Sequence, residues 1–279
     1  MSTEDDRWFT EAQTEGVRLG LRLGREILAR RTPYQDLLLA ETTELGKLLA
    51  LDGRIMLTER DEAFYHEMLV HPALFGHRDP RRVLIIGGGD GGTLREVLRH
   101  REVEEAVLVE IDEEVVQGCE QFLESVHRGS FHDPRTKLVF KPGQDFVKEV
   151  HFKYDVIIVD SSDPVGPNLP LFREAFFRDC KKALRQGGMF VCQSGSPFYY
   201  PEELEEVYGE LGKVFGRVGV YLGFVPTYPS GLWSFCIAGD GELPLEPLRE
   251  PNFPTRYYTP DVHRAAFVLP RFVEELLSK

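Results

Sequence analysis

Residues 83–98 read VLIIGGGDGGTLREVL. The first four are an apolar run of the length of a buried strand. The run ends in GGGDGG (87–92), and residues 93–100 have the composition of a helix. Glycines at a strand end let the backbone approach a ligand, and a helix N-terminus offers unpaired N–H groups. Such a turn also serves plain packing, but its place directly after an apolar strand gives it weight. Asp90 sets a carboxylate where the pyrophosphate of a dinucleotide would lie. The pattern therefore disfavours NAD and favours a ligand with a positive centre.

Working outward, strand and helix patterns alternate. Strands are predicted at 106–111, 137–140, 154–160 (YDVIIVD) and 189–193, and helices at 113–126, 172–184 and 201–215. Near-continuous apolar runs suit strands covered on both faces. This alternation predicts an α/β fold with a doubly wound, mostly parallel sheet. Strands near 217–224 and 232–238 are joined by the short GFVPTYPSG (223–231) and are expected to pair antiparallel.

Before this unit, residues 1–57 read as β-rich. Val17, Leu19, Leu21 and Leu23 alternate with polar residues or glycine, and 48–51, Asp52-Gly53 and 55–57 form a hairpin pattern with a tight turn. A helix starts near Thr58 or Asp61 and runs towards Phe75, and HRDPRR (77–82) is a linker. The reading divides the chain into a β-rich domain, 1–62, and a catalytic domain, 63–279.

Composition sets bounds on function. The 279 residues carry 33 basic and 46 acidic side chains, a net charge of −13. That balance argues against a protein that tracks nucleic-acid phosphates. No apolar stretch approaches the roughly 20 residues of a membrane helix, and the MSTEDDRWF start lacks a signal-peptide pattern. Cys119, Cys180, Cys192 and Cys236 show no CxxC spacing, which suits reduced thiols in the cytoplasm. The scattered histidines suggest no metal site.

Strand ends carry the candidate chemistry. Glu110 closes the second strand, 23 residues after Gly87. An acid there can accept from ribose hydroxyls; the alternative is a solvated acid like Asp112, Glu113 and Glu114. Asp160-Ser161-Ser162-Asp163-Pro164 closes the fourth strand, and a simple turn is the alternative. Ligands in open α/β sheets bind outside the carboxyl ends of strands, so Asp90, Glu110, Asp160 and Asp163 converge on one rim. Like charges so gathered need compensation, and a cationic substrate supplies it.

Together with WF (8–9), PYQD (33–36), LDGRIMLTERDE (51–62), YHEM (65–68), VEID (109–112), PTYPSG (226–231) and DVHRAAFVLP (261–270), these segments cover nearly the whole chain in order. In them the sequence resembles the spermidine synthases, the polyamine aminopropyltransferase family. The resemblance implies a methyltransferase-like Rossmann domain, with a doubly wound, mostly parallel seven-stranded sheet, and a small N-terminal β-rich domain. It implies transfer of an aminopropyl group from decarboxylated S-adenosylmethionine to putrescine, without a further cofactor or a metal. It also implies a homodimer or homotetramer joined through the N-terminal region.

By the same resemblance, Gln35 and Asp90 hold the aminopropyl side of the donor, beside Gly87 and Gly89. Glu110 holds the ribose. Asp163 and Tyr65 orient the attacking amine with Asp160 beside them. His66, Gln193, Tyr228 and Trp8 line the diamine channel with Asp90, and plain packing is the alternative for Trp8. Two departures stand out. Family members carry an aspartate that accepts from the adenine amino group; here Gln144 falls at that position, or Asp145 after a one-residue slip. Met56 stands where glutamine is frequent.

The residue types suit that chemistry. A sulfonium leaves without protonation, so the remaining work is placing a neutral amine in line with a carbon. An alkylammonium, with a pKa near 10.4, must first lose a proton, and Asp163 is read as orienter and acceptor in a desolvated site. Three alternatives stay open: another acceptor (cadaverine, agmatine or spermidine), a methyltransferase, and a non-catalytic polyamine-binding homologue.

Overall fold

The computed structural model describes residues 7–162 and 166–278. Their strands form two sheets. The first is antiparallel in sequential order: β1 (Trp8–Ala12), β2 (Arg18–Arg31), β3 (Asp36–Thr42), β4 (Lys47–Leu51) and β5 (Arg54–Thr58). Asp52 and Gly53 both take positive φ, as a two-residue hairpin of the matching twist requires. β2 runs further than its alternating leucines predict. Register shifts between Leu23 and Arg25 and between Glu26 and Leu28 break the alternation. The bulges turn Ile27 and Leu28 to the opposite face from Leu21.

Helix α1 (Glu62–Gly76) leads into the second sheet. There follow β6 (Arg82–Gly87), α2 (Gly92–Leu98), β7 (Glu105–Glu110), α3 (Glu113–Phe122), α4 (Glu124–His127), β8 (Thr136–Phe140), α5 (Gly143–Lys148) and β9 (Tyr154–Asp160). The chain continues through α6 (Glu174–Ala183), β10 (Leu184–Gln193), α7 (Pro201–Gly212), β11 (Arg217–Phe224), β12 (Leu232–Gly239), α8 (Pro260–Ala266) and α9 (Arg271–Leu277). The sheet order is β11-β12-β10-β9-β6-β7-β8. β12 pairs antiparallel with β10 and β11, and the other pairings are parallel. This is the mostly parallel, seven-stranded, Rossmann-like sheet expected. β6 and β9 neighbour each other at its centre, where the strand order reverses and a crevice opens at the carboxyl ends.

Two apolar layers cover this sheet, one under α1 and α2, the other under α6 and α7. The first sheet is seated on α3: Leu37, Leu39, Leu49 and Leu57 pack with Val115, Cys119 and Leu123. That contact holds β3–β5 over the carboxyl ends of β6 and β7. A buried carboxylate fastens the C-terminal segment. Glu67 of α1 accepts from the backbone N–H groups of Arg256, Tyr257 and Tyr258, each at 2.8 Å. Glu67→Ala strands three backbone donors, that of Tyr258 buried and the other two half-buried, and is expected to cost about 2 kcal/mol in urea unfolding. A loss below about 0.5 kcal/mol would show that the segment is held by its apolar contacts instead.

Candidate active site

The crevice between the sheets encloses a cavity of about 410 Å³. Its lining includes Gln35, Tyr65, His66, Gly87, Gly89, Asp90, Glu110, Gln144, Asp160, Gln193 and Tyr228, so the geometry brings eleven of the candidate residues together. Close approach of backbones builds the floor. A Cβ on Gly87 (φ +82°) would lie 2.1 Å from the Asp160 carbonyl oxygen, and one on Gly92 would lie 2.3 Å from the His66 ring.

Two of the remaining three candidates stand elsewhere. Trp8 does not line the cavity. Strand alternation gives Phe9 and Glu11 the inner face of β1, leaving Trp8 55% exposed with its ring against Gly20. The cavity's indole is that of Trp233, which packs on Tyr228 at a centroid distance of 4.8 Å, and Tyr228 packs in turn on Tyr65 at 5.3 Å. Asp145 lies one residue past the lining position taken by Gln144, and its carboxylate pairs with Lys148 on the outer surface of α5. Asp163 lies outside the described residues.

Asp90 is the ionised anchor. Burial opposes its charge, but the His66 ring 3.3 Å away, the Gly92 N–H at 2.7 Å and Arg95 behind them hold its pKa below the usual carboxylate value. Burial likewise opposes the charge on His66. Asp90 on one ring nitrogen and Glu62 on the other, at 2.7 Å, outweigh it and push the pKa up to about 10. Asp160 goes the other way: burial and the Asp90 charge raise its pKa, against the pull of His66 and of the Tyr65 hydroxyl. Tyr65 donates to Oδ1 at 2.8 Å, while Oδ2 faces the Thr93 hydroxyl without a well-formed hydrogen bond. Side by side, one carboxylate is tuned to stay charged and the other to take up a proton.

Ligand-type atoms of His66, Asp90 and Asp160 lie within 4.8 Å of one another. Asp90 and Asp160 beside the His66 ring equally offer negative charge to a cationic organic group. Gln193 spends its amide on the Ser161 carbonyl and the Gly195 N–H, and Tyr228 donates to the Met56 carbonyl at 2.6 Å. Asp112, expected as a solvated acid, is 1% exposed. It accepts from Thr32, from the Gln35 amide at 2.9 Å and from the Glu114 N–H, and so sets Gln35 on the cavity edge. Glu62 and Arg95 went unread in the sequence, although Glu62 and His66 show the spacing of one helix face.

Residues 62–245 match the family model "Spermine/spermidine synthase domain", and residues 7–59 match "Spermidine synthase tetramerisation domain". The chain belongs to this family of aminopropyltransferases. It is 42% identical to the polyamine aminopropyltransferase of Caldicellulosiruptor bescii over 277 residues, 99% of each chain. It is 43% identical to polyamine aminopropyltransferase 1 of Bacillus cereus over 273 residues, 97% of this chain and 99% of that one. A spermidine synthase crystallised with the transition-state analogue AdoDATO superposes with a TM-score of 0.95 at 40% identity, covering 100% of this chain and 98% of the other. The Thermotoga maritima spermidine synthase gives 0.92 at 39% identity, covering 100% and 97%. Like these relatives, the protein is a transferase of polyamine biosynthesis.

In this aminopropyltransferase Glu110 is a buried carboxylate with no compensating ion pair among the described residues. Burial pushes its pKa to about 7 with help from Asp112 and Asp160, although the Ile111 and Asp112 N–H groups favour the charge. The folded state thus holds this proton more tightly than the unfolded one, whose value is 4.5. Stability from this group is present below pH 4.5 and is lost as pH rises towards 7. Glu110→Gln removes the ionisation, so at pH 8, without ligand, it is expected to be more stable by roughly 1–3 kcal/mol. At pH 4.5 no gain is expected. Urea unfolding at the two pH values checks this, and a variant less stable than the parent at pH 8 contradicts it.

Proposed function

We propose that this protein transfers the aminopropyl group of decarboxylated S-adenosylmethionine to putrescine, giving spermidine and methylthioadenosine. The observation that carries the reading is the pairing of an ionised Asp90 with a more basic Asp160 in a cavity of about 410 Å³, a volume within the range of small-molecule sites. A donor bearing a sulfonium and a primary ammonium suits Asp90, and its decarboxylated form brings no carboxylate against that charge. The crystallised relative with AdoDATO supports a site of this class.

In this reading Gln35 and Asp90 face the aminopropyl end, Gly87 and Gly89 let the donor approach the backbone, Glu110 accepts from the ribose, and Gln144 accepts from the adenine through its amide oxygen. Tyr65, Tyr228 and Trp233 cover the acceptor's methylene chain. The amine nitrogen attacks the propyl carbon attached to sulfur. That carbon–sulfur bond breaks, its electron pair stays on sulfur, and a neutral thioether leaves. The proton shed by the amine needs an acceptor at the reacting centre. Among the described carboxylates Asp160 suits this best, with Tyr65 orienting it; Asp163, read from the sequence as orienter and acceptor, stands beside it in the proposal.

The donor is a co-substrate, and the proposal includes no further cofactor. The match of residues 7–59 to a tetramerisation domain supports a homodimer or homotetramer, with residues 1–62 as the associating unit and 63–279 as the catalytic one. Among the described residues no helix is long and apolar enough to cross a membrane, and all four cysteines are free and buried. Both facts suit a cytoplasmic enzyme.

Incubation with decarboxylated S-adenosylmethionine and each of putrescine, cadaverine, agmatine and spermidine tests the proposal by product analysis. Spermidine and methylthioadenosine from putrescine, at the highest kcat/KM of the four, are expected. No methylthioadenosine with any amine overturns the reaction, and preference for another amine overturns the acceptor. Asp160→Asn is expected to lower kcat by about 10²–10⁴-fold. Near-normal turnover removes Asp160 from proton transfer.

A further inference from the structure

The loop between β11 and β12 carries Tyr228 and Pro229 to the cavity, next to Trp233. Its own hydrogen bonds close it: the Tyr228 N–H donates to the Val225 carbonyl at 3.0 Å, and the Gly231 N–H to the Tyr228 carbonyl at 2.8 Å. Its ties to the rest of the protein come from residues distant in sequence. The Tyr228 hydroxyl donates to the carbonyl of Met56, in the middle of β5. One residue earlier, Thr227 donates twice to Asp61 Oδ2, from its backbone N–H at 3.0 Å and from its hydroxyl at 2.7 Å. The other oxygen of Asp61 accepts from the Thr58 hydroxyl. The Thr227 carbonyl accepts from the Gln13 amide at 3.4 Å. All three polar atoms of Thr227 are thus committed to residues 13 and 61, and Asp61 and Thr227 are both buried.

Asp61 departs from a local rule to make these contacts. It stands at the N-cap of α1, where an aspartate side chain ordinarily accepts from the first N–H groups of its own helix. Here it makes no such bond, and the helix forgoes that stabilisation. Both carboxylate oxygens serve other partners instead, and two of the three donors belong to a residue 166 positions away. A side chain that gives up its local role for a distant contact marks a place where the fold needs that contact.

We propose that Asp61 is a positioning residue for the amine acceptor: by holding Thr227 it sets where the Tyr228 ring stands over the acceptor's methylene chain, and so how well a short diamine fits relative to a longer one. This rests on the aminopropyl-transfer reading above. Asp61 does not line the cavity, so it acts through its neighbour in space. Tyr228 is pinned twice, at its hydroxyl by Met56 and at its backbone, through Thr227, by Asp61. Both pins lie on residues 56–61, which run from β5 into α1, and α1 goes on to Tyr65. One short segment therefore fixes the 5.3 Å spacing of the Tyr65 and Tyr228 rings. Without the Asp61 pin the Tyr228 ring is held at its tip alone, and the wall it forms loses its fixed distance from Tyr65. The donor side of the cavity, with Gln35, Gly89 and Glu110, is built from other elements and does not depend on this clamp.

Thr227→Val keeps the shape of the side chain and removes its hydroxyl bond to Asp61. The KM for putrescine is expected to rise about tenfold, as for the loss of one buried hydrogen bond, with kcat changed by no more than about twofold. The preference for putrescine over cadaverine is expected to fall severalfold, while calorimetric affinity for decarboxylated S-adenosylmethionine stays within about twofold. Thr227→Ser retains the hydroxyl and is expected to restore the putrescine KM. An unchanged putrescine KM in folded Thr227→Val, an equal loss of donor affinity, or a Thr227→Ser variant as impaired as Thr227→Val overturns the proposal. If Thr227→Val does not fold, hydrogen exchange of the unaltered protein carries the test. Slower exchange of the Thr227 amide when putrescine is added to protein saturated with methylthioadenosine supports the proposal, and exchange unmoved by putrescine overturns it. Failure of the aminopropyl-transfer reading shows in the unaltered protein, which would then form no methylthioadenosine. Failure of the present proposal shows only in the variants of an active enzyme or in the exchange of this one amide.

Discussion

A carboxylate removed from water must be compensated or it takes up a proton, and the architecture around Asp90 is arranged by that constraint. Asp90 sits at the end of the central strand, on a loop whose glycines bring the backbone against Asp160 and the His66 ring. Its charge survives burial because His66 is beside it, and His66 keeps its own charge because Asp90 and Glu62 flank it. Isolated buried ions would each cost several kcal/mol; joined in alternating order they offset one another. α1 and α2 have to pack closely for this chain of charges to form, and Gly92 is where a side chain would prevent it.

The same constraint explains how two sheets of different kinds make one site. The parallel sheet supplies carboxylates at the ends of β6, β7 and β9. The antiparallel sheet, seated through its leucines on α3, covers them and brings Gln35 and Met56 to the cavity. Asp112 joins the two halves: it caps α3 and holds the turn that carries Gln35. Covering the rim lowers the local dielectric, which strengthens each interaction inside it. The cost appears at Glu110, whose pKa is raised by burial, with the Asp112 and Asp160 charges adding to it.

Much of this was legible in the sequence because it is local. The 83–98 stretch carries its strand, its turn and its helix within sixteen residues, and Asp52-Gly53 specifies a hairpin by its φ requirements alone. Elements whose cause is not local were harder to read. β2 continues past Leu23 because bulges shift its register against β3, which no alternation rule anticipates. α8 and α9 are short, and α1 holds the segment leading into α8 through Glu67. At the site, the strand-end carboxylates were legible as a group. Trp8 and Trp233 are equally plausible channel residues by type, and only strand direction separates them. The Glu62–Arg95 pair joins residues 33 positions apart, so only the fold brings it together.

The central claim is that fixed, ionised Asp90 selects a cationic donor end. Calorimetric titration of the protein with decarboxylated S-adenosylmethionine and, separately, with S-adenosylmethionine tests it most directly. The two ligands differ by one carboxylate, which would lie against Asp90. The account predicts that the decarboxylated form binds ~100-fold more tightly, the discrimination expected of about 3 kcal/mol. Equal affinities, or tighter binding of S-adenosylmethionine, would contradict it.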